Sequence, residues 1–513
     1  MLKGRDKIRK LLVANRGEIA VRIIRACREM GIKTVAIYSD IDSSAMHVRL
    51  ADEVRHIGPS PSNQSYLVID RIIQAALDTN SDALHPGYGF LSENHALARA
   101  CLNNDIRFVG PPPEVIMAMG EKTVAKRTME KVGIPILAGM DKPIDSLAEA
   151  REIAHKFRYP VILKASMGGG GRGMRIARSD YELENAFRGA QSEALAAFGS
   201  DDVFIEKYME KPRHVEFQVL ADMHGNVIHL GERDCTLQRR HQKLLEEAPS
   251  PFIDDKLRKD MGDTAIKASK AAGYVSAGTI EFLLDENKNF YFMEMNTRIQ
   301  VEHPVTEMVT GVDIIKEQIK IASGEELSLE QKDVKINGWA IECRINAEDS
   351  FKDFIPCPGR IESIRFPLGP GIRIDTAVFD GYEIPRQYDS LIAKVIAHAP
   401  DRKSAITRME HALSEMKIKG IKSTKEFHLA LMRDRLFKKS QYDTSFIEKN
   451  MENLKEDLNF NSRIAAIAAA VDVFIYTQRL IAKRDEPNGA LELESKKNWK
   501  MSTRFKTKRK YEK

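Results

Sequence analysis

The chain has 513 residues, 43% of them hydrophobic and 30% charged, with a formal net charge of +5; this length allows several domains, and the composition agrees with an intracellular enzyme. Its five cysteines, at positions 27, 101, 235, 343 and 357, form no Cys-x-x-Cys pair and are odd in number, which argues against a disulfide framework or a zinc site. The basic N-terminus lacks the apolar core of a signal peptide, and no apolar run reaches the ~20 residues that span a bilayer, so a soluble, cytoplasmic protein without membrane contact is expected.

Residues from about 8 to 120 alternate strand and helix patterns: a strand at Leu11–Ala14, a helix through Ile19–Met30, a strand at Thr34–Tyr38. This predicts an open parallel α/β domain. No Gly-x-Gly-x-x-Gly turn follows the first strand, which weakens a dinucleotide reading. Gly110-Pro-Pro-Pro113 punctuates the exit, and Lys122 follows in Met119-Gly-Glu-Lys-Thr-Val-Ala-Lys126.

Val161–Ala165 has the pattern of a buried strand. Ser166-Met-Gly-Gly-Gly-Gly-Arg-Gly173 and a second strand-like run, Met174–Ala177, come next. Glycines in this density let backbone N–H groups wrap an anion. Glycine-rich segments are often mere connectors, but strand flanks favour a hairpin lid over phosphates. No Gly-Lys-Ser/Thr follows, so the loop is not a Walker A motif. Lys164 ends an apolar strand, where an ammonium without a partner would be costly, and with Lys122 it is a candidate for neutralising phosphate oxygens. The short strand Phe204–Tyr208 is a plausible reader of an adenine edge.

Two further strands are expected at Thr279–Leu284 and Phe290–Met295, joined by Asp285–Lys288. An even-length turn there pairs Glu281 with Phe292, puts Phe292, Glu294 and Asn296 on one face with Glu281, and makes the two carboxylates diagonal neighbours. An odd-length turn would put them on opposite faces. Adjacent carboxylates repel without a cation, so Glu281, Glu294 and Asn296 read as oxygen donors for Mg²⁺. In the same stretch, Glu294-Met-Asn-Thr-Arg-Ile-Gln-Val-Glu-His-Pro-Val-Thr-Glu307, Arg298 offers a planar fork for a small oxyanion, and Glu302 is near enough in sequence to take its proton.

Together with Leu11-Leu-Val-Ala-Asn-Arg-Gly-Glu-Ile-Ala20, His85-Pro-Gly-Tyr-Gly-Phe-Leu-Ser-Glu-Asn94, Arg233-Asp-Cys-Thr-Leu-Gln-Arg-Arg-His-Gln-Lys243 and Glu342-Cys-Arg-Ile-Asn-Ala-Glu348, these segments resemble the biotin carboxylase family over about the first 450 residues. The resemblance implies a multidomain α/β and α+β protein. It has an N-terminal open parallel α/β domain (1–120), an ATP-grasp domain (121–337) with a mobile glycine-rich lid at about 136–208, and a C-terminal biotin carboxylase domain (338–449); beyond the resemblance, the composition of residues 450–513 reads as a helical extension with a basic tail. The resemblance also implies MgATP-dependent (or Mn²⁺-dependent) phosphorylation of bicarbonate to carboxyphosphate, whose CO₂ is captured by biotin carried in trans. By motif, Lys122, Lys164, Gly168, Gly169, Gly170, Gly171, Glu206, Lys207, His214, Gln238 and His241 would bind ATP. Glu281, Glu294 and Asn296 would hold the metal, and Arg298, Gln300 and Val301 would position bicarbonate. Glu302 would be the base, Lys243 would stabilise the transferring phosphoryl group, Arg344 would stabilise the biotin oxyanion, and Tyr88 would lie along the biotin site.

In the 338–449 region, Tyr388-Asp-Ser-Leu-Ile-Ala-Lys394 also matches the family. Beyond it, Ser462–Tyr476 is strongly helix-prone and mostly apolar, either packed on its own domain or docking another subunit. Lys496–Lys513 carries nine Lys or Arg and one Glu, so the tail is +8 and the remainder −3. Terminal charge runs are usually solvated, which argues against nucleic acid. The chain contains no Met-Lys-Met tripeptide, so a biotin carboxyl carrier protein and a carboxyltransferase subunit are expected in trans, around a homodimer. The preferred expectation is the biotin carboxylase subunit of an acetyl-CoA or propionyl-CoA carboxylase. The biotin carboxylase subunit of pyruvate carboxylase is the alternative, and another ATP-grasp ligase is the more distant one.

Overall fold

The computed structural model describes residues 7–482, apart from 141, 166–173, 199–201 and 241. The glycine loop at 168–171, His241 and the basic tail therefore lie outside the described residues. The chain divides into two compact units, Met1–Lys455 and Glu456–Lys513.

The first unit opens with five parallel strands: β1 (Lys10–Val13), β2 (Lys33–Ser39), β3 (Glu53–Gly58), β4 (Ala83–His85) and β5 (Arg107–Phe108). Their order is β3-β2-β1-β4-β5. The expected open parallel α/β domain is present, and its first helix, Gly17–Glu29, buries Ile19, Val21, Ile23 and Ile24. The strand order reverses between β1 and β4, so the segments leaving their C-terminal ends line the crevice where such sheets bind ligands. Asn15 and Glu18 leave β1 there, and Tyr88 leaves β4. Asn15 Nδ2 fixes the second loop by donating to the carbonyls of Pro86 and Tyr88, both at 2.7 Å. Gly87 has φ +63°, and a Cβ on it would lie 3.0 Å from that amide, so this turn requires glycine.

β6 (Val161–Ala165), β7 (Met174–Ala177) and β8 (Val203–Lys207) form a small antiparallel sheet, β7-β6-β8, as the apolar runs predict. The helices Leu147–Phe157 and Asp180–Phe198 cover it, packing Ile153, Leu183 and Phe187 against Val161, Leu163 and Ile205.

The centre of the unit is one eight-stranded antiparallel sheet. It is built from β9 (Arg213–Ala221), β10 (Val227–Arg239), β11 (Gln242–Ala248), β12 (Ser276–Leu284), β13 (Phe290–Asn296), β14 (Trp339–Asn346) and the strands Leu391–Ala399 and Ile372–Thr376, in the order β13-β12-β9-β10-β11-β14 followed by those two. β9 shows how sequence sets its faces: Val215, Phe217 and Val219 point to an apolar core with Ile280, Phe282 and Phe292, while His214, Glu216 and Gln218 alternate to the other side.

The second unit is described over residues 456–482, the later part of the helix Phe446–Ala482, which contains the expected Ser462–Tyr476 segment. There Ile467, Val471, Val473, Phe474, Ile475 and Tyr476 are exposed. Among the described residues no helix is long and apolar enough to cross a membrane.

Candidate active site

The polar side of the large sheet carries a row of charges set by strand register. Glu294 lies opposite Glu281, Glu281 opposite Glu216, and Glu216 opposite Arg233. Glu281 and Glu294 thus share a face as expected, although by a different route. The β12–β13 turn is odd, five residues from Asp285 to Asn289 between the paired Leu284 and Phe290. That register alone would set Glu281 against Met293. A bulge between Phe292 and Glu294 absorbs Met293 and brings Glu294 face to face with Glu281. The expected Glu281–Phe292 pairing and the shared face for Phe292 are therefore corrected: Phe292 pairs with Phe282 and points into the core.

Glu281 is buried and fully engaged. Its Oε1 accepts from Lys243 Nζ at 3.0 Å, Asn296 Nδ2 at 2.8 Å and Gln300 Nε2 at 2.8 Å. Its Oε2 lies 2.8 Å from His214 Nε2. Burial alone would raise this carboxyl, but Lys243 and His214 hold it well below the usual range. Glu294 behaves differently: burial and then Glu281 push it up, with Lys122 Nζ 3.9 Å away. The expectation that a metal offsets the acid pair is amended, because Lys243 and His214 already supply counter-charge to Glu281. Glu294 is the member left in want of a cation, so the pair still fits a divalent ion. Asn296 turns its nitrogen to Glu281 and its Oδ1 to Arg298 Nη2 at 3.0 Å.

Lys243 is the hub of the site. Its ammonium also donates to Glu216 Oε2 at 2.6 Å and to Glu302 Oε1 at 2.7 Å. Glu302 Oε2 accepts from Arg344 Nη2 at 2.9 Å, and Arg344 also pairs with Glu246. Burial opposes ionisation of Glu302, yet Lys243, Arg344 and Arg233 hold it far below the usual carboxylate range. Arg298 Nε donates to Glu93 at 2.9 Å, and Nη1 donates to the Ile299 carbonyl at 3.3 Å. With the Asn296 bond, three of its five N–H groups are engaged among the described residues, which leaves two for an oxyanion. Beneath these residues Arg233, fully buried, donates to Gln300 at 2.6 Å, Gln218 at 2.8 Å, Thr306 at 3.0 Å and Thr279 at 3.2 Å, and pairs with Glu216.

The expected biotin side connects to this network. Tyr88 donates its hydroxyl to Glu18, and Lys394 Nζ lies 3.0 Å from Glu18 Oε1 while donating to the Val301 carbonyl at 2.8 Å. On the nucleotide side, Lys164 and Lys126 both pair with Glu206, which supplies the partner that Lys164 was expected to need. Lys207 Nζ donates to the Arg158 and Tyr159 carbonyls at 2.7 and 3.0 Å, so its ammonium ties the small sheet's loop together. Gln238 is paired with Lys243 across β10 and β11.

The structure therefore brings Glu281, Glu294, Asn296, Arg298, Gln300, Glu302, His214, Lys243 and Arg344 into one constellation, with Lys122 3.9 Å from Glu294. Sequence reasoning gave no role to Glu216, Arg233, Glu93, Glu246, Glu342, Lys394 or Glu18. Five of these, Arg233, Glu93, Glu342, Lys394 and Glu18, lie inside the family motifs, and Glu246 lies three residues beyond one. Glu216 had a weaker signal, an acid alternating with apolar residues in β9, a pattern that reads as a solvated face.

Three sequence profiles match the chain. "Biotin carboxylase, N-terminal domain" covers residues 7–116, "Carbamoyl-phosphate synthase L chain, ATP binding domain" 121–330, and "Biotin carboxylase C-terminal domain" 342–449. Biotin carboxylase 1 of Bacillus subtilis is 57% identical over 442 residues, spanning 86% of this chain and 98% of the relative. A pyruvate carboxylase subunit of Methanothermobacter thermautotrophicus is 50% identical over 488 residues, spanning 92% of this chain and 99% of the relative. Among solved structures, the biotin carboxylase domain dimer of Hydrogenobacter thermophilus 2-oxoglutarate carboxylase, in complex with MgADP, ADP and bicarbonate, superposes with TM-score 0.81 at 51% identity, over 88% of this chain and 99% of that one.

Proposed function

The chain belongs to the biotin carboxylase family, and we propose from that premise that it carboxylates biotin borne on a separate carrier protein, using MgATP and bicarbonate. The observation that carries the proposal is Glu302, locked between Lys243 and Arg344 beside the half-engaged fork of Arg298 and the opposed pair Glu281–Glu294. An anion-holding guanidinium, a carboxylate base and a cation-binding acid pair on one sheet face suit ATP-driven activation of a small oxyacid.

In this reading the two uncommitted N–H groups of Arg298, with Gln300 and the Val301 segment, hold bicarbonate. Glu302 takes its proton as the bicarbonate oxygen attacks the γ-phosphorus, breaking the bond to ADP. Resting Glu302 is a weak base because two cations clamp it. Its basicity rises when Lys243 turns to the transferring phosphoryl group and Arg344 to the biotin oxygen. Glu281 and Glu294 would hold the divalent cation, which when bound supplies charge neutralisation at the phosphate oxygens. Lys122, Lys164, His214 and the 136–208 subdomain, with its glycine loop at 168–171, bind and cover the nucleotide, excluding water from carboxyphosphate. After carboxyphosphate yields CO₂ and phosphate, phosphate removes the biotin N1′ proton. Arg344 stabilises the resulting oxyanion before CO₂ is captured.

For the final acceptor, the first reading is an acyl-CoA carboxylase acting on acetyl-CoA or propionyl-CoA, with a carboxyltransferase subunit and a homodimer of this chain. A second reading, the biotin carboxylase subunit of a pyruvate carboxylase, is favoured by one observation. The pyruvate carboxylase relative aligns with 92% of this chain, against 86% for the Bacillus biotin carboxylase. Purifying the native assembly, blotting for a biotinylated partner and assaying acetyl-CoA, propionyl-CoA and pyruvate as acceptors decides between them. Absence of a biotinylated partner together with no biotin-dependent ATP cleavage would reject both.

A further inference from the structure

Behind Arg344 lie two carboxyls that the reaction as described does not use. Glu246 on β11 and Glu342 on β14 are directly opposite each other in the sheet, and both are 0% exposed. Arg344, two residues beyond Glu342 on the same face, pairs with Glu246. Among the described residues no oxygen of either carboxyl has a partner in hydrogen-bond geometry, and only Glu246 has an ion pair, although a buried carboxylate without donors is strongly disfavoured. Two ionised carboxylates set opposite one another in a dry site repel, and such pairs resolve the conflict by retaining one proton.

We infer that Glu246 and Glu342 form a one-proton pair that positions Arg344 for the biotin oxyanion, with Glu246 as the anchoring anion and Glu342 as the acid. The assignment within the pair follows from the ion pair: burial raises both carboxyls, Glu246 to about 7, but Arg344 lies against Glu246 and offsets the rise there, while Glu342 has no such contact. Burial, reinforced by Glu246, pushes the Glu342 carboxyl well above the ordinary range. Among the described residues the other charged or titratable groups around the pair are Lys243 on β11, the Cys235 thiol on β10, Arg344 and the Cys343 thiol on β14, Lys394 on the neighbouring strand, and Glu302 ahead of the helix His303–Thr310. From the helix Lys425–Arg433, His428 Nε2 sits 2.8 Å from the Arg344 carbonyl oxygen. Lys394 draws the Glu342 carboxyl down, but its ammonium lies 3.0 Å from Glu18 and 3.8 Å from Asp375, and burial prevails at Glu342. With Glu342 neutral, Arg344 faces two carboxylates, Glu246 and Glu302, and it can exchange the second for substrate. With Glu342 ionised, a third carboxylate would draw the guanidinium back into the sheet and reduce the positive potential in the cleft.

This inference rests on the proposed role of Arg344 and deepens it. The test compares full-length E342Q, E246Q and R344A in two assays across pH: biotin carboxylation, and bicarbonate-dependent ATP cleavage without biotin. E342Q fixes the neutral form, so kcat near neutral pH should stay within about threefold of the parent while the alkaline limb of biotin carboxylation moves up by about one pH unit or more. E246Q should lower biotin carboxylation at least about tenfold and change biotin-independent cleavage less than about twofold. An unmoved alkaline limb in E342Q, or equal losses of both activities in E246Q, overturns the inference. If R344A is selective for the biotin step in that case, the function reading stands and only the acid pair fails; if R344A lowers both activities equally, the role of Arg344 fails and the inference with it. Should a variant not fold, the infrared spectrum of the parent protein decides. A protonated-carboxyl band persisting to mildly alkaline pH supports the pair, and its absence at neutral pH overturns it.

Discussion

Replacing Glu302 with Gln removes the proposed base while keeping its shape. The structure indicates that the change is local. Lys243 loses a contact at 2.7 Å but keeps Glu216 at 2.6 Å and Glu281 at 3.0 Å. Arg344 loses a contact at 2.9 Å but keeps Glu246. Neither cation is stranded, so the fold and ATP binding should survive. A positioned general base contributes about 10²–10⁴-fold to rate. Because Lys243 and Arg344 hold the resting carboxylate well below its ordinary range, the expected loss lies in the lower part of that span, about 10²–10³-fold or about 3–4 kcal/mol of transition-state stabilisation. The assay is steady-state carboxylation of free biotin with bicarbonate and MgATP, alongside calorimetric ATP binding. Turnover within about twofold of the parent would remove Glu302 from the mechanism. Loss of ATP binding in parallel with turnover would show that its role is structural.

Other consequences follow from the same geometry. Glu294→Gln should weaken Mn²⁺ binding in the presence of ATP by at least about tenfold, read by paramagnetic resonance, because Glu294 is the acid that burial and Glu281 leave in want of a cation; unchanged binding would exclude it as a ligand. Arg233→Leu strips donors from Gln218, Thr279, Gln300 and Thr306 and the guanidinium from buried Glu216, so a loss of about 3–5 kcal/mol and a clearly lower melting temperature are expected; an unchanged melting temperature would contradict the buried-hub assignment. Burial lowers His47 and His428 to about 4 and His85 to about 3, so the folded chain keeps them neutral while the unfolded chain protonates near the ordinary 6.5. Their contribution to stability is therefore complete above about pH 6.5 and declines as pH falls toward 4. Melting temperatures measured over that window should drop, and His47→Gln should flatten the drop; a flat parent profile would refute the account.

Part of the strand framework was legible because apolar runs are local signals: Val161–Ala165 and Met174–Ala177 appear with the expected limits, and Thr279–Leu284 and Phe290–Met295 fall within β12 and β13. By contrast β9, β10, β11 and β14, which carry His214, Arg233, Lys243 and Arg344, were not singled out as strands. The Glu281–Glu294 relation was legible only in outcome. A turn one residue longer than a regular register allows is cancelled by the bulge at Met293, and bulges leave no periodic trace in a seven-residue strand. The partners of the motif residues were not legible, because they come from distant segments: Arg298 meets Glu93 across 205 positions, and Lys243 meets Glu302 across 59. Glu216 illustrates a different failure. Its alternation with Val215 and Phe217 predicts an outward face, and that face is the buried floor of the cleft.

The most direct measurement is phosphate release from MgATP by the purified chain, with bicarbonate and free biotin supplied separately and together. The account predicts the fastest release with both present, with carboxybiotin formed alongside, and release that collapses when bicarbonate is withheld. ATP cleavage indifferent to bicarbonate and biotin, or driven instead by ammonia, would contradict it.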